Sequence, residues 1–313
     1  MTVRVYRSDD ASAPLLNGTI GSLITVLDAC LVNGYGSKAA AGWSKAFSGT
    51  NLAAYRPPSG TRGYLRVDDT AAQIARIVGY MTMTDVNTGA DPFPTSTQIS
   101  GGGYSQKSIT ADTTARPWVL IATDSRLYWL NYSDSTTIAS NNSTAGCSGH
   151  FFFGDAISYK PGDAYHCTLI CSDASGTNTS RLGLVSTSGS VLQGHYIARP
   201  HTQSGTSQPI GKAPVGIYGS PSTIGTSGSL PSYPDVMTGG LPITPVELFE
   251  LVSSIPVVRG KLPGMWAPMV GAPAAQADTF DGAGELAGKT FILLNVASTS
   301  TLGRSAFEIS DTW

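Results

Sequence analysis

The cysteines and histidines near the middle of the chain are the residues best suited to chemistry. Cys147-x-x-His150 is followed by His166-Cys167-x-x-x-Cys171. Thiolate and imidazole ligands at such spacings can hold zinc, which takes four of them tetrahedrally. Cys167 and Cys171, however, fall on a segment with strand character, where both point to one face and His166 to the other. Cys147 sits in a polar loop that nothing brings near them. The pattern favours buried, reduced cysteines. Zinc on Cys147, His150, Cys167 and Cys171, or a Cys147–Cys171 disulfide formed after release from a cell, is the weaker alternative. A second group, Asp278-x-x-Asp281-Gly-x-Gly-Glu285, gathers three carboxylates around glycines as a calcium loop does. It lacks the alternating ligand order of an EF-hand, and a solvated turn is the expectation.

Hydrolase and phosphate signatures fail on inspection. Gly146-Cys-Ser-Gly-His breaks G-x-S-x-G at its last position, and H-E-x-x-H is absent. His150, His166, His195 and His201 can each be placed on paper beside one of many serines, which discriminates nothing. Asp68-Asp69 offers two carboxylates, as glycoside chemistry needs, but neighbours on a strand face opposite ways, so the pair is expected to begin a turn. Gly101-Gly102-Gly103 with Lys107-Ser108 lacks the following helix that a phosphate loop requires, and reads as a flexible loop. No catalytic residue, cofactor or firm metal site emerges.

The elements that would hold these residues are mostly strands. The segment Trp43–Thr95 reads as a three-stranded meander: Asn51–Arg56, Gly63–Asp68 and Gln73–Met83, with Pro57-Pro58-Ser59-Gly60 as the first turn. In its middle strand Leu65 and Val67 share one face while Tyr64, Arg66 and Asp68 share the other. Trp118–Thr123, Arg126–Tyr132, Phe151–Ile157, Ala164–Ser172 and Gly183–Ile197 continue as hairpins. Thr290–Ala297 and Ser305–Ile309 close the chain. Two helices are expected: Thr19–Val32, capped by Thr19 and stopped at Asn33-Gly34, and Pro245–Ser253, capped by Thr244 with Glu247 in its first turn. Residues 200 to 240, rich in Ser, Pro and Gly, read as surface loops with Ile210–Tyr218 as an ordered piece. The fold class is mainly β: an antiparallel β-sandwich or jelly-roll-like core with one N-terminal helix and long loops. Residues 1–40 form the N-terminal strand and helix, and 41–313 one β-rich domain with an insertion at about 200–240.

Only 13% of the 313 residues are charged and the net charge is −2, against roughly 25% charged residues in an average soluble domain. Scattered basic residues give no electrostatic reason for a nucleic-acid partner. No run approaches the roughly 18 apolar residues of a membrane span, so no membrane insertion is expected. Low charge suits a subunit whose surface is covered by neighbouring copies.

The Trp43–Thr95 segment also resembles one that recurs in a functionally uncharacterised family of virion structural proteins of tailed bacteriophages. Gly21–Lys38, Phe153–His166, Arg259–Trp266, Leu286–Phe291 and Glu308–Trp313 carry the same likeness. The resemblance implies a virion protein made in the host bacterial cytoplasm. The expectation is a non-enzymatic component of the tail, baseplate or fibre attachment, assembled as a symmetric homo-oligomer (a trimer or hexamer) with other virion proteins. A capsid decoration or collar protein is the alternative. So is a module that binds a host-surface glycan or protein receptor through aromatic loop residues, for which Tyr218, Tyr233 and Trp266 are the candidates, with Tyr104 a further exposed-looking ring.

Overall fold

The computed structural model describes residues 2–138, 149–172, 196–199, 210–211, 233–252, 255–269, 276–296, 304–310 and 313. Three antiparallel sheets organise them. The central sheet has the order β1 (Arg4–Arg7), β9 (Trp118–Ala122), β10 (Arg126–Asn131), β11 (Phe151–Asp155), β13 (Cys167–Cys171) and β14 (Tyr196–Ile197). The N-terminal strand is therefore paired within the chain, Arg4 opposite Ala122 and Arg7 opposite Val119.

On one side lies a helix-side sheet of β2 (Ser44–Gly49), β3 (Leu52–Arg56), β4 (Tyr64–Asp68), β5 (Ile74–Tyr80) and β8 (Gly103–Gln106). This is the expected meander with one strand added at each edge. Leu65, Val67, Ala75 and Ile77 pack inward against Leu120, Trp129, Phe153 and Leu169 of the central sheet. The chain leaves β5 earlier than its apolar pattern suggests and turns into a hairpin, β6 (Thr82–Asp85) and β7 (Thr88–Ala90). Its Met83 consequently covers Ala54 and Tyr64 on the outward face.

On the other side lies a C-terminal sheet, ordered β15 (Ile210–Gly211), β16 (Ile243–Val252), β17 (Ile255–Pro268), β20 (Arg304–Glu308), β19 (Thr290–Asn295) and β18 (Thr279–Asp281), with β12 (Ile157–Ser158) also on β17. Val246, Leu248, Leu262, Met265, Ile292 and Phe307 meet Val119, Ile121, Tyr128 and Phe152 across a second core. The central sheet is thus shared by two sandwiches. Its strands β9, β10, β11 and β13 are buried at every position, which is why they read as unbroken apolar runs rather than alternating ones. Each large side chain so buried contributes about 2–3 kcal/mol.

Two local expectations are corrected. Residues 245–252 are not helical: β16 runs through them. Val246 and Leu248 enter the second core two residues apart, and pairing with β17 from Ile243↔Pro268 to Val252↔Ile255 outweighs the local capping signals. The N-terminal helix is shorter than its periodicity suggests. The α1 helix (Ser22–Leu27) passes into a π turn over Asp28–Asn33 that ends at Gly34. Thr19 does not cap it and hydrogen-bonds Asn17 instead. The buried carboxylate of Asp69 accepts the Leu23 and Ile24 N–H groups at 2.8 and 3.2 Å, a cap supplied from a different element. Residues 183–195 and most of residues 200–240 lie outside the described residues.

Candidate functional site

A polar seam crosses all three layers at one end of the stack. Its hub is Arg259 on β17, which is buried with its partners. Arg259 Nε donates to Asp163 Oδ2 at 3.1 Å, Nη1 to Glu250 Oε1 at 2.6 Å and the Arg199 carbonyl at 2.7 Å, and Nη2 to the Tyr165 carbonyl at 2.6 Å. Asp163 also accepts the Ser158 hydroxyl and the Tyr165 N–H. Burial raises its pKa, but these donors together with the Arg259 charge outweigh that and hold it below the usual carboxylate range.

The loop pinned in this way orients His166. Its Nδ1 lies 2.7 Å from the Asp163 carbonyl. A carbonyl only accepts, so Nδ1 carries the proton and Nε2 presents its lone pair. The Thr61 hydroxyl, in the turn between β3 and β4, lies 3.0 Å from that Nε2 and donates to it. Asp155 at the end of β11 accepts the Thr61 N–H at 2.8 Å, and the same oxygen stands 3.8 Å from His166 Nε2. A Cβ on Gly60 would come within 2.4 Å of this carboxylate, so only glycine lets the turn sit so close. The imidazole remains 38% exposed. A hydroxyl, a base and an orienting carbonyl therefore share an accessible turn. Thr61 and His166 are 105 residues apart, and no motif in the sequence links them.

Among the described residues, the metal candidates singled out from the sequence do not converge. Cys147, Tyr218, His195 and His201 lie outside the described residues. Cys167 and Cys171 share one face of β13 as expected, both buried in the first core, and burial pushes the Cys167 thiol up to about 12. His150 is fully buried, with its Nε2 on the Asn131 carbonyl at 2.9 Å and its ring edge-on to Tyr132; burial lowers its pKa to about 3. Asp278, Asp281 and Glu285 are exposed and spread over β18 and the turn after it, with Asp281 accepting the Thr290 hydroxyl. Among the described residues, no three His, Cys, Asp or Glu side chains converge on a metal position.

The aromatic candidates also separate. Tyr233 is 44% exposed, whereas Trp266 is half-buried edge-on to Phe291. Tyr104 lies beneath the Arg76 guanidinium, 3.4 Å from its ring centre. More apolar surface is offered by aliphatic residues. Val236 and Met237 are 95% and 93% exposed on a turn whose Asp235 carboxylate accepts the Met237 and Thr238 N–H groups and the Thr238 hydroxyl. That turn leads into β16. A cleft of about 400 Å³ lies between the β1 end of the central sheet and the C-terminal sheet, lined by Arg7, Leu16, Arg116, Trp118, Gln276 and Asp278 among others. Among the described residues, no helix is long and apolar enough to cross a membrane.

No family model matches this chain, and no curated protein matches it.

Proposed function

We propose that this chain is a structural component of a tailed-phage virion, at the tail, baseplate or fibre attachment, and that it works as a symmetric homo-oligomer. The observation that carries this reading is the turn at Asp235. It uses its own hydrogen bonds to hold two adjacent aliphatic side chains almost wholly in water. Such exposure costs free energy unless the surface is covered. Next to the turn, Leu241, Ile243, Trp266 and Phe280 form a half-buried apolar layer over Phe291 and Leu293, and Met269 adds a further exposed side chain. A stack of three sheets with two continuous cores supplies the rigidity that an assembled particle needs, and the role calls for no catalytic group.

Light scattering on the purified chain at several concentrations tests this. A stable trimer or hexamer is expected, and V236D/M237D should dissociate it into subunits that keep the wild-type circular dichroism spectrum, because neither side chain contributes to a core. A monomer at every concentration, or a double variant that associates like the wild type, overturns the reading.

A further inference from the structure

The Thr61 turn holds more than a structural hydrogen bond requires. From this geometry we propose that Thr61 is an acyl-accepting nucleophile with His166 as its general base, so that the chain hydrolyses short acyl esters. Three observations meet here. The hydroxyl donates to an imidazole nitrogen whose lone pair is fixed by the Asp163 carbonyl on the opposite nitrogen, the arrangement that activates a hydroxyl. Asp155, with one carboxylate oxygen 3.8 Å from the same ring nitrogen, places negative charge where an imidazolium would form. Arg62, the next residue, is held in the left-handed region at φ 61, and its N–H donates to no described residue. A free backbone N–H directly after a nucleophile is the group that receives the oxyanion in other acyl-transfer turns.

The chemistry balances with water as the only co-reactant. Thr61 Oγ1 bonds to the ester carbonyl carbon while its proton passes to His166 Nε2, and the carbonyl oxygen becomes the oxyanion beside Arg62 N–H. Collapse breaks the bond to the alkoxide, which leaves with the proton from His166. Water then attacks the acyl-threonine and gives its proton to His166. The carboxylic acid leaves, and that proton returns to Thr61. The His166 imidazole is 38% exposed, so a small ester can reach the pair from solvent. An acetyl ester is the smallest such substrate. The virion role does not depend on this activity, and a failure of either leaves the other standing.

The test uses the full chain and p-nitrophenyl acetate, with T61V, T61S and H166Q compared at equal concentration and their folding checked by circular dichroism. The expected result is hydrolysis by the wild type and T61S that exceeds T61V and H166Q by about 100-fold. An acetyl group should also appear on the Thr61 peptide after acid quench. T61V keeps the imidazole and removes only the hydroxyl, so a T61V rate equal to the wild type would assign hydrolysis to a bare histidine and overturn the proposal. Acetylation confined to lysines, or no rate above buffer, would overturn it equally. If T61V does not fold, the site of acetylation in the wild type decides alone.

Discussion

Lys107 and Asp69 form an ion pair in which neither side chain is exposed to solvent. The ammonium also donates to the Thr19 and Ala71 carbonyls at 2.6 and 3.1 Å, while the other Asp69 oxygen caps α1. One pair thus ties together the helix start, the turn after β4 and the segment after β8. Removing one member of a buried pair strands the other and costs about 3–5 kcal/mol. Lys107→Met and Asp69→Ala should each lower unfolding free energy by about that amount in urea titrations. The double variant should lose less than the sum. A loss under about 1 kcal/mol for Lys107→Met would show that the pair is not what holds these segments.

Arg259 poses the same question with geometry added. Its three nitrogens reach two carboxylates and two carbonyls in different directions, which a single ammonium cannot reproduce. Arg259→Lys should therefore destabilise nearly as much as Arg259→Met, by about 3 kcal/mol or more, measured by thermal or chemical unfolding. Full retention of stability in the lysine variant would contradict this.

Gly79 faces the Phe93 ring so closely that a Cβ would lie 2.1 Å from a ring carbon. Phe93 is buried and stacks on Phe153 with ring centres 6.2 Å apart. Gly79→Ala should cost about 1–3 kcal/mol through overpacking. Phe93→Leu in the same chain should recover part of it. Additive losses in the double variant would mean that the ring is not the obstacle.

His150 predicts an acid-side loss of stability. Its folded pKa is lowered to about 3 by burial, against roughly 6.5 in an unfolded chain. As pH falls below about 6.5 the unfolded state takes up a proton that the folded state refuses. The stabilisation is complete above that value and drains away toward pH 3, at up to about 1.4 kcal/mol per pH unit. In His150→Gln, denaturation midpoints should fall less steeply between pH 6 and 4. An unchanged slope would place the acid sensitivity elsewhere.

Much of the architecture was legible in the chain, because strands that pack one face alternate and strands that pack both do not. Leu65 and Val67 announce the first kind, and the run from Trp118 to Ala122 the second. That a third sheet lies behind the central one follows from the same runs, since a strand apolar on both faces needs two partners, although two sheets were the expectation. Residues 245–253 read as a helix because a Thr-Pro-x-Glu start is a strong local signal, and β17, which overrides it, becomes visible only when distant residues pair. Along the sequence Asp69 reads as half of a carboxylate pair and Lys107 as the lysine of a failed phosphate loop. Nothing along the sequence says that they meet. The Thr61 turn escaped for the same reason: His166 arrives on the loop that leads into β13 of the facing sheet, and Arg259 sets the position of that loop.

The pairing of β1 with β9 also sets an order of events in synthesis. Arg4 leaves the ribosome long before Ala122 exists to receive it, so β1 cannot settle until β2 to β8 and then β9 have been made. Until then it is an unpaired ribbon beside an apolar Val3 that belongs to the second core. Closing contacts of such sequence separation is slow. The nascent chain consequently passes through an interval in which β1 is available to another copy, and the yield of correctly closed subunits should depend on how quickly β9 and β10 follow.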